Sequence, residues 1–378
     1  MILEKQRVVI GMIDGFGIDY FDASPMPVLR AMTKDGLFNT VNAVFPTVTN
    51  ANNVSICCGA WPKSHGITGN SYFDEASGLA DYMESADFIR VPTILTRAAE
   101  RGFRSALLTC KNKTIRLLSQ GATIAVAAET PPVDFVDLYG EPPHIYSREI
   151  NYWLWTVAID ILKRREDIRL LYVHTTDFPM HTWAPEEAES KEHLATLDRL
   201  IGEAQQAAPD AAFLITADHG MNYKKRCWDL TKACKARGVA LRFALSAEKD
   251  RYVKHHRTFG GAAWVWLNSS KDQSHAIKTI AALEGVEEVL PKTAAAERFH
   301  LMPERIGDLV VIGDRHTVFG DLEIESEVLE PTYRSHGSLH ETRIPLLIFN
   351  GKEKLPSADE FTVNLDLTRI PFRIPAAR

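Results

Sequence analysis

Four short stretches of this chain carry aspartate or histidine at spacings that suit a divalent metal, and a fifth offers a hydroxyl for such a metal to activate. Asp14 closes the apolar run Arg7-Val-Val-Ile-Gly-Met-Ile-Asp14. Asp177 and His181 stand four apart in Asp177-Phe-Pro-Met-His181, a spacing that puts both side chains on one face of a helical turn. Asp218 and His219 are adjacent at the end of Ala211-Ala-Phe-Leu-Ile-Thr-Ala-Asp-His-Gly220. His336 sits in a Ser-His-Gly turn, with His340 as a competing candidate. Carboxylate and imidazole together suit a divalent transition metal. Counted with Thr49 these are seven residues, too many for one tetrahedral zinc and enough for two. Two adjacent metals form a clamp for in-line displacement at phosphorus.

The hydroxyl lies in Phe45-Pro-Thr-Val-Thr-Asn-Ala-Asn-Asn-Val-Ser-Ile-Cys-Cys-Gly59. Val41 to Phe45 reads as a strand end that Pro46 breaks, with a helix expected to start near Asn52. Thr49 at such a helix start sees backbone N–H groups and the positive end of the dipole, which favour a bound anion. Taken alone it reads as an N-cap; among the metal ligands it reads as a nucleophile. Asn70, in the turn-rich segment 61–70, reads alone as a turn residue. Beside such a nucleophile its amide would hold a phosphoryl oxygen. Lys111 and Lys113 follow the strand expected over Phe103 to Leu108. They read as solvated surface on their own, and as a clamp for an anionic substrate group beside the metals.

The elements that must position these residues are short continuous apolar runs of the kind buried on both faces of a parallel sheet. Three of them, ending near Asp14, Asp177 and Asp218, deliver an acid to the crevice where open α/β sheets bind ligands. Helices are expected over Met26 to Lys34, 92–100, Tyr152 to Lys163 and roughly Glu186 to Ala207, and a loop over 129–144. From 223 to 330 the texture changes to a smaller α+β pattern, with an aromatic strand at Gly261-Ala-Ala-Trp-Val-Trp-Leu267. The expected organisation is a doubly wound α/β core over 1–222, an α+β cap insert over 223–330, and a return to the core over 331–378.

Hydrophobic residues make up 45% of the 378 and charged residues 24%, ordinary for a soluble globular enzyme. The net charge of −6 argues against nucleic acid and anionic membranes as partners. Five cysteines without CxxC spacing suggest neither a disulfide framework nor a thiolate zinc site. No signal-peptide pattern or membrane-length apolar run is seen, so the cytoplasm is the expected location. A homodimer is left open.

Taken together, Met-Ile-Asp14-Gly, Phe-Pro-Thr-Val-Thr49-Asn, Ser-His-Gly-Ile-Thr-Gly-Asn70, Thr-Thr-Asp177-Phe-Pro-Met-His181, Thr-Ala-Asp218-His219-Gly-Met-Asn and Ser-His336-Gly resemble the alkaline phosphatase superfamily. Within it they are most similar to the nucleotide pyrophosphatase/phosphodiesterase-like branch. The resemblance implies two zinc ions. Asp177, His181 and His336 would hold one, and Asp14, Asp218 and His219 the other, with Thr49 bridging towards it as nucleophile. A narrower resemblance is to the phosphonoacetate hydrolases. It rests on Thr-Asn-Ala-Asn-Asn, Lys111-Asn-Lys113, Asp250-Arg-Tyr-Val-Lys-His-His256, Arg305-Ile-Gly-Asp-Leu-Val-Val-Ile-Gly-Asp-Arg-His-Thr-Val318 and Arg334-Ser-His-Gly. It implies that Lys111 and Lys113 bind the carboxylate of a small phosphonate, whose P–C bond is cleaved to acetate and phosphate through a phosphothreonine. After His181 the chain reads Thr-Trp-Ala-Pro-Glu-Glu, where that family carries a further histidine and a glycine. Trp183 and Glu186 are therefore expected to reshape the carboxylate end of the pocket. The alternatives are a phosphodiesterase or nucleotide pyrophosphatase, or a hydrolase of a related phosphonate, on the same core. From another class comes a metal-binding protein without catalysis, in which Thr49 only caps its helix.

Overall fold

Strands of Val, Ile and Leu with no polar face need cover on both sides, and the sheet they build here is sandwiched between helices. In the computed structural model, which describes residues 1–251, 254 and 256–376, seven strands form it. Their order is Leu37–Asn42, Arg343–Phe349, Ala212–Thr216, Val8–Met12, Ile168–His174, Arg104–Thr109 and Ile124–Ala127. The last five run parallel, while Arg343–Phe349 is antiparallel to both its neighbours. Glu149–Arg164, Ala188–Ala207 and Pro27–Asp35 cover one face. Thr49–Cys58, Ile94–Glu100, Asn112–Leu118 and Asp366–Arg369 cover the other.

The register of the parallel strands decides where the chemistry lies. Met12 pairs with both His174 and Thr216, and His174 with Thr109. Four strands thus end level, and the chain just beyond each end carries Asp14, Asp177, Asp218 and Lys111 to one edge.

A second, antiparallel sheet runs in the order Leu241–Ser246, Ala262–Leu267, Leu309–Gly313 and Val286–Pro291. On one side it buries Leu230, Ala233, Ala276 and Ile280 from the helices Leu230–Ala236 and Gln273–Ala281. Its other side packs Trp264, Trp266 and Val310 against Phe45, Val48 and Ala51. It therefore backs the threonine segment directly.

Two expectations need correcting. Segment 129–144 holds a short helix, Val133–Tyr139, because its apolar residues lie at helical spacing after Pro132. The helix expected near Asn52 begins at Thr49, with Val48 in the cap position and no side-chain cap. Asparagine is a poor helix former, but tertiary hydrogen bonds outweigh that. Asn52 bonds Val44, and Asn53 bonds Tyr172 and His174. All five cysteines are free and buried. Among the described residues no helix is long and apolar enough to cross a membrane.

His65 ties the loop after this helix to its buried face. Its Nδ1 accepts from the Ile67 N–H (3.1 Å), so Nε2–H donates to Ser55 Oγ (2.8 Å). Burial, with Arg305 nearby, lowers its pKa to about 3. A histidine whose folded pKa is depressed stabilises the fold fully above about pH 6.5 and loses that contribution as pH falls, by about 1.4 kcal/mol per unit. His65→Ala should cost about 2 kcal/mol at neutral pH, and the gap to the parent should narrow on acidification. Urea unfolding at about pH 7 and pH 5 checks this; an equal gap at both would refute it.

Candidate active site

The edge of the parallel sheet places three buried aspartates within reach of one another. The Asp14 N–H donates to Thr175 Oγ1 (2.9 Å), and the Gly15 and His219 N–H groups both donate to Asp218 Oδ1 (3.0 Å each). Gly15 has φ +75°, and a Cβ there would meet Asp177 Cβ at 3.2 Å and Met180 Cβ at 3.1 Å. Only glycine lets the Asp14 loop pass so close to the Asp177 turn. Asp177 begins the short helix Phe178–Thr182, and the four-residue spacing brings His181 Nε2 to 2.9 Å from Asp177 Oδ2.

Each of the three histidines has its outer nitrogen fixed by a main-chain carbonyl. His181 Nδ1–H donates to Arg334 O (2.8 Å), His219 Nδ1–H to Gly220 O (2.9 Å) and His336 Nδ1–H to Thr47 O (2.7 Å). That leaves every Nε2 facing inward, the arrangement that orients imidazole ligands. His219 and His336 stack with ring centroids 3.6 Å apart at 11°. Burial lowers the pKa of both, with His219 and His181 also disfavouring charge on His336. Both are therefore neutral and offer lone pairs. His340 lies outside this cluster, exposed and paired with Glu287 (2.6 Å).

Crowded carboxylates need compensating charge. Lys111 Nζ lies 3.1 Å from Asp14 Oδ2 and 3.2 Å from Asp177 Oδ1, so one ammonium bridges the two loops. Burial acts to lower the Lys111 pKa, but the two carboxylates outweigh it and hold the lysine well above its ordinary value. Asp14 and Asp218 are pushed apart. Burial and Asp177 raise Asp14, yet Lys111 and His174 bring its carboxyl below the usual range. Asp218 is driven well above it by burial and by Asp14. Lys113 is buried and ion-paired with Asp250. Neither lysine is solvated surface.

The donor set fits metal ions. Asp177, His219 and His336 form one group whose ligand atoms all lie within 4.8 Å of one another, and Asp14, Asp218 and His219 form a second. Asp14 Oδ1, Asp218 Oδ2, His219 Nε2 and His336 Nε2 are buried without a hydrogen-bond partner among the described residues. His219 Nε2 stands 3.4 Å from Asp218 Oδ2 and 3.6 Å from Asp14 Oδ1. Tetrahedral ligands at about 2.1 Å from an ion are about 3.4 Å apart, so the spacing is that of a shared cation. His181 and His336 converge on one oxygen, Asp177 Oδ2, at 2.9 and 3.8 Å.

Thr49 is the first residue of its helix and is buried. The next N–H, that of Asn50, donates to Asn70 Oδ1 (3.2 Å), while Asn70 Nδ2 donates to Glu248 Oε2 (2.9 Å). Thr47 Oγ1 accepts from the Gly337 N–H (2.9 Å) and donates to Ser338 O (2.8 Å), tying this loop to the His336 turn.

Three residues escaped the sequence reading. His174 ends a buried strand. Its Nδ1 is met by the Asn53 amide (3.1 Å), an obligate donor, so its Nε2–H faces Asp14 Oδ2 (3.4 Å). An imidazole closing an apolar run was the signal. Glu248 and Asp250 follow Leu241–Ser246, a strand the reading did not place; from the second sheet Asp250 reaches Lys113 and Glu248 reaches Asn70. His256 stacks on His181 (3.7 Å, 19°); His255 lies outside the described residues. Trp183, expected at the carboxylate end, packs with Phe178 and under Arg148.

A mostly parallel sheet, here with aspartates and histidines clustered at its carboxyl edge, is the fold of the alkaline-phosphatase-like hydrolases. More closely, residues 8–339 match the model of the type I phosphodiesterase / nucleotide pyrophosphatase family, and the chain belongs to that family. Among solved structures it resembles phosphonoacetate hydrolase from Sinorhizobium meliloti 1021 in complex with phosphonoacetate. The TM-score is 0.86 and the identity 27%, over 96% of this chain and 94% of that one. Murine ectonucleotide pyrophosphatase / phosphodiesterase 5 in complex with AMP shares the fold, with TM-score 0.71 and 16% identity over 99% of this chain and 96% of that one. Venom phosphodiesterase 2 of Crotalus adamanteus is 24% identical over 58% of this chain and 27% of its own length. The chain thus spans about a quarter of the venom enzymes it matches.

Zinc added to the protein should raise its melting temperature, since binding to the folded state alone stabilises it. His336→Ala should lower the zinc retained after dialysis by about one ion per chain. Metal analysis showing the same content in parent and variant would remove His336 from the ligand set.

Proposed function

We propose that this chain is a two-zinc hydrolase that cleaves the carbon–phosphorus bond of phosphonoacetate, releasing acetate and phosphate through a phosphothreonine at Thr49. The observation that carries the reading is the pair of lysines beside the ligand cluster, Lys113 buried and Lys111 mostly so. Its likeness across nearly the whole chain to a phosphonoacetate hydrolase supports it.

In this reading Asp177, His181 and His336 would hold one zinc, and Asp14, Asp218 and His219 the other. When bound, the ions supply the Lewis acidity that lowers the pKa of the Thr49 hydroxyl and offsets charge on the phosphoryl oxygens. Thr49 Oγ1 bonds to phosphorus as the P–C bond breaks in line. The electron pair passes to the methylene carbon and delocalises into the adjacent carboxylate as an enediolate. Lys111 and Lys113 face that developing charge, where a cation lowers the barrier more than it stabilises the substrate. The carbon takes up, through solvent, the proton that the Thr49 hydroxyl gives up, and leaves as acetate; water then adds to phosphorus, returning a proton to Thr49 Oγ1 as phosphate is released. Asn70 and the Asn50 N–H hold a phosphoryl oxygen. The segment 223–330 serves as a cap on the core made by 1–222 and 331–378, bringing Glu248, Asp250 and His256 to the site.

A phosphodiesterase acting on the same core is supported by the family match, but its alkoxide leaving group needs no lysine pair. Lys111→Ala/Lys113→Ala should therefore lose about 100-fold or more in kcat/KM for phosphonoacetate, while turnover of 4-nitrophenyl phosphate changes only a few-fold. Because Lys111 touches two proposed ligands, Lys113→Ala alone should show the same split at equal zinc content. Parallel loss of both activities would reject the clamp. Thr49→Val should abolish both with zinc retained.

A further inference from the structure

The second sheet sends one carboxyl group into the phosphoryl end of the site, and neither the ligand set nor the lysine clamp accounts for it. Glu248 is buried, with Oε2 on Asn70 Nδ2 (2.9 Å) and Oε1 3.6 Å from His336 Nε2. It thus stands between the residue proposed to hold a phosphoryl oxygen and a residue proposed to hold zinc. Its place is fixed by the backbone. The Asn70 N–H donates to Ala247 O (3.0 Å), and Asn70 Nδ2 also reaches Glu248 O (3.4 Å). A Cβ at Gly260 would meet the Glu248 Cβ at 2.8 Å, so the side chain has a wall behind it.

We propose that Glu248 is a specificity-determining residue that confines the site to singly substituted phosphoryl groups, phosphonates and phosphate monoesters, and rejects diesters. The inference rests on the reading of Thr49 as the nucleophile and Asn70 as a phosphoryl holder. In that pose an equatorial oxygen on Asn70 lies against the Glu248 carboxyl. A phosphonate or monoester offers two ionisable oxygens besides the one on the metals. A single proton between such an oxygen and the carboxyl makes a hydrogen bond, whichever group carries it. A diester offers there an ester oxygen that cannot share a proton, and an organic arm that runs into a packed side chain. A site built to hydrogen-bond a substrate group discriminates strongly against an analogue that cannot answer it.

The test is the ratio of kcat/KM for bis(4-nitrophenyl) phosphate to that for 4-nitrophenyl phosphate, measured on zinc-loaded parent, Glu248→Ala and Glu248→Gln at equal metal content. Glu248→Ala should raise the ratio about ten-fold or more, by losing monoester turnover and gaining diester turnover. Glu248→Gln should return most of the way to the parent, because the amide keeps the volume, an acceptor for Asn70 and a donor for the phosphoryl oxygen. An unchanged ratio in the alanine variant, or a glutamine variant that behaves like alanine, overturns the proposal. Should aryl esters turn over too slowly to compare, the melting-temperature shifts given by inorganic phosphate and by dimethyl phosphate report the same preference. It should weaken in Glu248→Ala, and an equal preference in parent and variant overturns the proposal. Phosphonoacetate enters none of these measurements, so failure of the P–C reading leaves them interpretable.

Discussion

Three carboxylates converge, buried, at the edge of a parallel sheet, and their mutual repulsion is the constraint that the rest of the site answers. The level register that ends four strands together leaves Asp14, Asp177 and Asp218 no means of separating. Burying one unpaired carboxylate already costs several kcal/mol, and like charges nearby add to that. The chain responds in two ways. Lys111 bridges Asp14 and Asp177, while Asp14 and Asp218 shift in opposite directions, the first brought low by Lys111 and His174 and the second driven up by burial and by Asp14. Four buried ligand atoms nonetheless stay without hydrogen bonds. In a well-packed interior that is tolerated where another group is meant to sit.

Such a cluster keeps its shape only if its loops are held to one another, and the holding groups are mostly not ligands. Carbonyls of Thr47, Gly220 and Arg334 orient the three imidazoles. Thr47 joins the Thr49 loop to the His336 turn through two further bonds. Below them Glu341 accepts from Ser338, Asn222 and Lys224, and its ion pair with Lys224 (2.7 Å) is wholly buried. Burial raises the Glu341 pKa, but Lys224 outweighs it and holds the carboxyl low. The pair fastens the segment after His219 to the segment after His336. Losing one partner of a buried pair of this kind strands a charge, which is typically worth 3–5 kcal/mol.

How much of this was legible depended on whether a residue's role is local. Asp14, Asp177, Asp218 and His219 could be read because an acid at the end of a continuous apolar run has one reasonable destination in an α/β sheet. Asp177 and His181 added helical spacing. His336 was separable from His340 only in three dimensions, because both sit in the same short polar turn and only Gly337, at φ +110° against the Gly261 N, shows which way the turn faces. Thr49 looked like a cap, but the helix starts on it rather than after it, which depends on asparagine bonds to Val44, Tyr172 and His174 far along the chain. Glu248 was invisible for the same reason. Nothing in Ser-Ala-Glu-Lys-Asp says that its glutamate crosses from a second sheet to Asn70.

That division bears on why one core can serve different reactions at phosphorus. On the reading proposed above, the candidate ligand aspartates and histidines, the threonine and the helix start behind it would act on the phosphoryl group, which a P–O and a P–C substrate share. The reactions differ at the leaving group: an alkoxide is stable once a metal or proton meets it, whereas a carbanion needs a second acceptor for its electrons. Selection between them therefore has to come from outside the shared set. In this chain the candidates are Lys111 and Lys113, just past the strand Arg104–Thr109, and Glu248 and Asp250, just past Leu241–Ser246. Lys113 and Asp250 pair across the boundary between those two sheets, so the carboxylate end of the site is assembled by the packing of one sheet on the other. On the reading proposed above, the charge that tells one leaving group from another would thus be set by parts of the chain that the candidate metal ligands do not touch in sequence.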